Sequence, residues 1–162
     1  MISIIVAVSD DLGIGKNNDL LWKIPDDMKR FRKLTMGNTV VMGRKTWESL
    51  PKRPLQGRRN IVITDVTGEK FEGAESAFSV PEAVSMCKPG EEAFIIGGGS
   101  IYRQFMPFTD RLYVTHVHRT APADIFFPAI DPLKWKIASK EDFITEAPEG
   151  IPYSYVVYDK KD

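Results

Sequence analysis

The residue whose type and position most clearly indicate a chemical role is Asp27, near the start of a segment with helical spacing. It lies four residues before Phe31 and seven before Leu34, so a helix would place its carboxylate on the core-facing stripe. An acid in a first helical turn usually stabilises the helix dipole, but the neighbouring Asp26 can fill that role. A carboxylate among apolar side chains needs a hydrogen-bond donor, which a bound ligand could supply.

Two clusters in the sequence are typical of phosphate binding. The apolar run from Ala93 to Ile96 leads into glycines at 97–99, where the backbone can approach an anion and amide groups at a helix start can face it. Arg44 and Lys45 lie in the first turn of a predicted helix, which is unfavourable for cations by about 0.3 to 1 kcal/mol each. Alternatively, the glycines form a plain tight turn and the basic pair is solvated. A cofactor carrying several phosphates would account for both clusters.

Other candidate residues have ordinary explanations. Trp22 lies in a long loop, which tryptophan often anchors, and the adjacent Arg58 and Arg59 are a pair of the kind that is usually solvated. His116 and His118 would face the same way on a strand, but the nearby sequence offers no third ligand, so we expect no metal site. None of these residues indicates a function by itself.

The composition limits the class of protein. A chain of 162 residues is the size of one domain and can bury roughly 70% of its unfolded surface. Its 22 basic and 22 acidic residues balance, which argues against nucleic acid or an anionic membrane as partner and favours a small molecule. The single cysteine, Cys87, and the absence of secretory-signal features at Met1 to Ile5 predict a cytoplasmic protein. The apolar runs are far shorter than the roughly 20 residues of a bilayer span.

The segments that would position these residues alternate between strand and helix. Ile2 to Val8 is almost continuously apolar, which predicts a central strand covered on both faces. Ser9 to Ile24 has no clear period, and we interpret it as a lid over an active site. Pro25 opens a helix through Thr35, on whose exposed side Asp26 should pair with Arg30.

The rest of the sequence continues the succession of helices and strands. The further helices predicted are Arg44 to Leu50, Pro81 to Cys87 and Ser100 to Met106. The further strands predicted are Thr39 to Met42, Asn60 to Thr64, Ala93 to Ile96, Arg111 to His118, Lys134 to Phe143 and Tyr153 to Tyr158. This order predicts a single domain over residues 1–162, with a mainly parallel sheet closed by an antiparallel hairpin near the C-terminus.

Taken in order, the motifs resemble the dihydrofolate reductase family along nearly the whole chain. No one piece is specific, but the ordered set is. Its pieces are Ile14-Gly15, Trp22, Pro25 with Asp27 and Phe31, Met42 to Ser49, Arg53-Pro54-Leu55, Gly57 to Asn60, Ile96 to Gly99, and Phe127-Pro128.

The resemblance implies an eight-stranded, mostly parallel sheet with flanking helices and a pterin pocket between the first strand and the helix that carries Asp27. The implied reaction reduces dihydrofolate to tetrahydrofolate: NADPH, bound across the strand ends, delivers a hydride to carbon of a C=N bond, and a proton reaches its nitrogen. The protein would orient the reactants in a dry pocket while lid residues 15–21 close over the nicotinamide. We expect a monomer that also binds antifolate-type molecules.

The resemblance also assigns substrate-side roles by position. Asp27 resembles the carboxylate that hydrogen-bonds the pterin's amino group and adjacent ring nitrogen, Thr115 would brace it, and Trp22 and Leu20 would complete the catalytic group. Arg58 would clamp the α-carboxylate of the folate glutamate through two parallel bonds. The other substrate-binding residues implied are Ile5, Val6, Ala7, Met28, Phe31, Leu50, Arg53, Leu55 and Ile96.

On the cofactor side, the resemblance implies two groups of residues and a cis peptide bond between Gly97 and Gly98. The residues at the phosphates and adenosine end would be Arg44, Lys45, Thr46 and Thr64. The other cofactor-binding residues implied are Ala7, Ile14, Gly15, Asn18, Leu20, Gly43, Ile63, Ile96, Gly97, Gly98, Gly99, Ser100, Ile101, Tyr102 and Gln104.

Three positions depart from the family pattern. Leu21 stands where the family often has proline, which bears on the stiffness of the lid. The loop at 51–53 is one residue longer than in many bacterial members, so either Lys52 or Arg53 would flank the folate tail. Asp65 lies beside the expected site of the 2′-phosphate, which its carboxylate would repel.

The sequence also permits two other functions. A reductase that acts on a pyrimidine in flavin synthesis would share the glycine turn but would not need both Asp27 and Arg58. A non-catalytic pterin or nucleotide binder would keep the pocket without turnover, although the lid and the full cofactor set argue against it. Following NADPH absorbance after adding dihydrofolate separates all three.

Overall fold

The computed structural model describes residues 1–17, 19–146 and 148–162, and its helices lie between strands of the first two thirds of the chain. The strands are β1 (Ile2–Val8), β2 (Gly13–Lys16), β3 (Asp19–Leu20), β4 (Thr39–Gly43), β5 (Arg59–Ile63), β6 (Glu75–Ala77), β7 (Ala93–Gly97), β8 (Arg111–Val117), β9 (Ile125–Phe126), β10 (Trp135–Ile144) and β11 (Pro152–Lys160). The helices are α1 (Pro25–Thr35), α2 (Arg44–Ser49), α3 (Val80–Met86) and α4 (Gly99–Phe105), followed by a 3-10 helix (Met106–Phe108). Among the helices described, none has the length and apolar character needed to cross a membrane.

Eight of the described strands form one sheet, in the order β10-β11-β8-β1-β7-β4-β5-β6. β1 lies near its centre between parallel neighbours, and β4, β5 and β6 continue the parallel arrangement. β11 runs antiparallel to both β8 and β10. The predicted fold, mostly parallel with an antiparallel hairpin near the C-terminus, is confirmed.

The two faces of β1 explain its continuous apolar sequence. Ile4 is fully buried on one face, in a cluster that includes Phe105 of α4. The next residue, Ile5, packs on the other face in the cluster that contains Trp47 of α2. Successive strand residues point to opposite faces, so a strand covered by helices on both sides is apolar at nearly every position. The polar exception, Ser3, is buried and donates a hydrogen bond to Glu92.

Helix α1 begins as predicted, with Pro25 in its first turn. Asp26 and Asp27 follow in the same turn, where the positive end of the helix dipole stabilises a negative charge. The expected pair between Asp26 and Arg30 is absent from the ion pairs of the described residues. The guanidinium of Arg30 instead lies 4.0 Å from the centroid of the Tyr155 ring. Stacking on this aromatic face replaces the predicted surface contact.

The predicted lid contains short strands that its sequence did not indicate. β2 pairs with β3 and with the distant β9, which forms a separate three-stranded sheet. Asp124, just before β9, accepts a bond from the amide of Asn17 and donates its own amide to the carbonyl of Gly15, each at 3.0 Å. The prediction of a segment without regular structure was therefore wrong for β2 and β3. This lid is tied to a segment about a hundred residues away in the chain.

The turn before β5 is held by the side chain of Asn60, which is 2% exposed. Its Oδ1 accepts the amide of Leu55 at 3.0 Å, and its Nδ2 donates to the carbonyls of Leu55 and Arg58 at 2.9 Å each. The guanidinium of Arg58 in turn donates to the carbonyl of Gln56 at 2.9 Å and to Thr35 Oγ1 at 3.1 Å. A buried amide thus fixes the backbone that carries Arg58.

Replacing Asn60 by alanine should destabilise the protein by about 1 to 3 kcal/mol, because buried backbone groups lose their partners. Urea unfolding of the Asn60→Ala variant measures the loss of stability. Asn38→Ala is the control, because the Asn38 amide also donates to backbone carbonyls but is only half-buried. A loss no larger than that of the Asn38 control would show that the buried amide does not hold the turn.

Candidate active site

Asp27 lies at the start of α1 with its carboxylate against β8. Thr115 Oγ1 donates to Asp27 Oδ1 at 2.6 Å, so the contact expected between them is present. Thr115 is 3% exposed and is paired in register with Ala7 on β1 and Tyr155 on β11. The helix therefore delivers an acid to the central strands of the sheet.

The surroundings of Asp27 disfavour its charge. Burial raises the pKa of the Asp27 carboxyl above its usual range, and the Thr115 hydrogen bond and the Arg30 charge only partly oppose this. Arg30 itself is directed toward the rings of Tyr155 and Tyr113, at 4.0 and 5.9 Å from their centroids. A carboxyl in this dry environment is suited to bind a ligand that presents hydrogen-bond donors.

An apolar wall lies on the same face of the sheet. The half-buried side chains of Ile5, Leu50, Leu55 and Ile96 pack against one cluster, whose buried floor includes Phe94. On α1, Phe31 is half-buried and Met28 is 55% exposed, while Val6 points to the opposite core. Most predicted pocket residues thus share a surface suited to a flat apolar ring.

The adjacent arginines Arg58 and Arg59 have different surroundings. Arg59 is paired with Glu75 and Glu91 and also donates to a backbone carbonyl. Arg58 is half-buried and is absent from the ion pairs of the described residues. Burial and the nearby charge of Arg32 lower the pKa of the Arg58 guanidinium, so an anion would relieve both effects. Arg58 is thus suited to bind a carboxylate.

The loop at 51–53 approaches the pocket through Arg53. The guanidinium of Arg53 lies 5.8 Å from the centroid of the Trp47 ring, and Lys52 is exposed. This cation–π distance to Trp47, whose ring belongs to the same cluster as Ile5 and Leu50, favours Arg53 over Lys52 as the cation beside the pocket.

Two strand-to-helix junctions lie side by side at the carboxyl ends of β4 and β7. Met42 pairs in register with Gly97, so the glycine turn lies next to the start of α2. The Gly97–Gly98 peptide is cis, as predicted. Gly97 has a φ of +130°, and a Cβ at Gly99 would lie 2.5 Å from Ile125 Cγ2. Only glycine suits these positions, which bring the backbone close to any ligand at the strand ends.

The basic cluster differs from expectation. Arg44 is not free: its Nε lies 3.2 Å from Glu48 Oε1 and its Nη2 lies 3.1 Å from Glu69 Oε2. The hydroxyl of Thr64, 4% exposed, also donates to Glu69. Glu69 was missed by sequence reasoning, which considered Asp65. No periodicity marks a loop residue of this kind, and only the fold shows its contacts.

The remaining predicted residues fall into three groups. Those at the strand ends or on the helices that follow are Ala7, Gly43, Thr46, Ile63, Ser100, Ile101 and Gln104. Those in the lid are Ile14, Gly15 and Leu20, and Asn18 lies outside the described residues. Tyr102 is 5% exposed and its hydroxyl donates to the carbonyl of Ile5 at 3.0 Å, which ties α4 to β1.

Trp22 and the two histidines occupy the end of the sheet near the lid. Trp22 packs in a cluster with Ile24 and Tyr153, and its buried Nε1 has no acceptor among the described residues. The Nε2 atoms of His116 and His118 lie 2.9 and 2.6 Å from the hydroxyls of Tyr158 and Ser154. Both histidines are therefore hydrogen-bonded to side chains of β11, whereas the indole N–H is suited to bind a ligand.

Replacing Thr115 by valine should raise the pKa of Asp27 further, because the ionised form loses a donor while the shape is kept. The midpoint can be measured by NMR titration of carbon-labelled aspartate. Thr39→Val is the matched control, since Thr39 is equally buried but donates to Glu91 at 3.2 Å. An unchanged Asp27 midpoint in T115V would contradict the assigned contact.

Comparisons with known proteins agree over the full length of the chain. A family model described as dihydrofolate reductase matches residues 1–160. The dihydrofolate reductase of Neisseria meningitidis serogroup A is 44% identical over 157 residues, or 97% of this chain and 96% of that protein. That of Bacillus subtilis (strain 168) is 39% identical over 162 residues, or 100% of this chain and 96% of that protein. A solved structure of dihydrofolate reductase from Enterococcus faecalis, complexed with NADP(H) and RAB-propyl, has a TM-score of 0.92 at 32% identity and covers 100% of this chain and 97% of that one.

Proposed function

The chain belongs to the dihydrofolate reductase family, and on that premise we propose that it reduces dihydrofolate to tetrahydrofolate with NADPH. The observation that carries the proposal is the half-buried carboxyl of Asp27, bonded to Thr115 beside an apolar wall. We expect it to act as a cytoplasmic monomer, and its one cysteine, Cys87, is a free thiol. The same pocket would take antifolate-type molecules.

Asp27 would orient the pterin. Its carboxylate would accept bonds from the ring's amino group and adjacent nitrogen, which supply the donors that this dry site lacks. A negative charge held there favours protonation of the ring at its reducible nitrogen. Ile5, Phe31 and Leu50 would exclude water from the ring, and Arg58 would bind the tail carboxylate outside the dry part of the pocket.

The cofactor fits the strand ends beside this pocket. NADPH, when bound, supplies the hydride. The close backbone approach at the glycines 97–99 suits the pyrophosphate, and Arg44, Lys45 and Thr64 would hold the 2′-phosphate. The indole N–H of Trp22, which has no acceptor among the described residues, supports a polar ligand group at the lid side of the site. The lid, tied through β2 to β9, would cover the nicotinamide and exclude bulk solvent.

The main test of the mechanism is Asp27→Asn, which keeps the shape of the side chain but removes its charge. The variant should lose hydride transfer by about a hundredfold or more near neutral pH and recover as falling pH lets solvent protonate the substrate. The measurement is single-turnover NADPH oxidation across pH for both proteins. NADPH binding and circular dichroism serve as controls and should be unchanged. If the variant keeps wild-type rates at every pH, Asp27 takes no part in the reaction.

A second test concerns the folate tail. Arg58→Leu should weaken folate by about ten- to a hundredfold, since a hydrogen bond to a charged group contributes about 1.5 to 3 kcal/mol. A pterin ligand without the glutamate tail should bind as before. Arg32→Leu, which removes the neighbouring exposed cation, should change both affinities far less. Equal losses for the two ligand types in R58L would mean that Arg58 supports the fold instead.

A further inference from the structure

The residues proposed for the 2′-phosphate already have a carboxylate partner. Glu69 accepts a hydrogen bond from Thr64 and lies 3.1 Å from Arg44 Nη2. These are the donors that the cofactor phosphate would need. A bound phosphate and the Glu69 carboxylate would therefore compete for these residues, because the Thr64 hydroxyl has a single hydrogen to donate and Nη2 of Arg44 is already directed at Glu69.

The fold holds Glu69 in this place. Its amide donates to the carbonyl of Val66 at 3.1 Å, and its carbonyl accepts from Ser76 Oγ at 2.7 Å. The amide of Val66 bonds back to Thr64 Oγ1 at 3.2 Å, which closes the loop on the strand end. The side chain of Glu69 is only 19% exposed. Its contact with Arg44 is thus built on a fixed backbone rather than on a mobile surface side chain.

The charges at the site cancel before the cofactor arrives. Arg44 and Lys45 contribute two positive charges, and the two carboxylates bonded to Arg44, Glu48 and Glu69, contribute two negative ones. A phosphate monoester carries about −1.5 to −2 charges at neutral pH and would be repelled by a carboxylate close to it. A ribose 2′-hydroxyl, by contrast, can donate a hydrogen bond to a carboxylate, which is how many dinucleotide sites recognise NADH.

We propose that Glu69 is a specificity-determining residue that competes with the 2′-phosphate for Arg44 and Thr64 and so reduces the preference of this chain for NADPH over NADH. The inference rests on the proposed placement of the 2′-phosphate. Glu69 also borders an open surface groove with Phe71 and Phe78, so there is space beside its side chain. Asp65, which the sequence indicated for this role, is exposed at the surface.

The test is Glu69→Gln, which removes the charge and keeps the length. We expect the dissociation constant for NADPH, measured by calorimetry, to fall about tenfold, the effect of removing one like charge from a partly exposed site. The constant for NADH should stay the same or rise, because a hydrogen-bond acceptor for its 2′-hydroxyl is weakened. Glu72→Gln is the matched control: it makes the same charge change on an exposed residue of the same loop and should alter neither constant beyond twofold.

Two outcomes separate this inference from the function on which it rests. If Arg44→Ala weakens NADPH selectively while Glu69→Gln leaves the NADPH to NADH ratio unchanged, only the role of Glu69 is overturned. If Arg44→Ala weakens both cofactors alike, the 2′-phosphate does not bind there and both proposals fail. Glu69→Ala provides a second variant, and its NADPH affinity should also rise if the thermal melt shows a folded protein. If either Glu69 variant binds both cofactors more tightly, the proposed competition between Glu69 and the 2′-phosphate is also overturned.

Discussion

The burial of β1 on both faces is the constraint on which the rest of the structure depends. Its alternate side chains belong to two separate cores, one containing Phe105 of α4 and the other Trp47 of α2. Parallel neighbours on either side require crossover helices, and those helices cover both faces of the sheet. The open positions for a ligand are therefore the carboxyl ends of the strands, where the glycine turn and the start of α2 lie side by side.

The same burial creates the chemistry of Asp27. A helix that packs on this face of the sheet brings its first turn against β8. The Asp27 carboxyl there leaves water and, among the described residues, has the Thr115 hydroxyl as its one direct hydrogen-bond partner. Its pKa rises because desolvation exceeds the help of that bond and of Arg30. The positively charged side chains that we propose bind the anionic groups of the ligands, those of Arg58 and Arg44, lie away from Asp27. The site thus separates a dry, apolar end from charged ends that remain near solvent.

The arginines at the two proposed anion sites are positioned in different ways. Arg58 lacks an acidic partner among the described residues and is positioned by the buried amide of Asn60 acting on the backbone. Arg44 is positioned by two carboxylates, one from its own helix and one from the loop before β6. An anion would meet an uncompensated charge at the first proposed site and would compete with a resident carboxylate at the second. The contact with Glu69 arises from loop packing, which the sequence pattern around Arg44 does not record.

The sequence by itself determined the elements whose side chains repeat with a local period. The spacing of Asp27, Phe31 and Leu34 placed a carboxyl on the inner side of α1, and the apolar run Ile2 to Val8 predicted the central strand. α3 and α4 were each predicted within one residue of their bounds. The four strands that were missed, β2, β3, β6 and β9, have two to four residues, too few to show a period.

Only the tertiary structure decided which groups meet. The division of roles between Arg58 and Arg59, the stacking of Arg30 on Tyr155 and the contact of Glu69 with Arg44 join residues from different elements. Periodicity records whether a side chain is buried, because burial acts on each residue through its own helix or strand. It does not record partners, because hydrogen bonds and ion pairs require approach within about 3 to 4 Å, which the packing of distant segments sets.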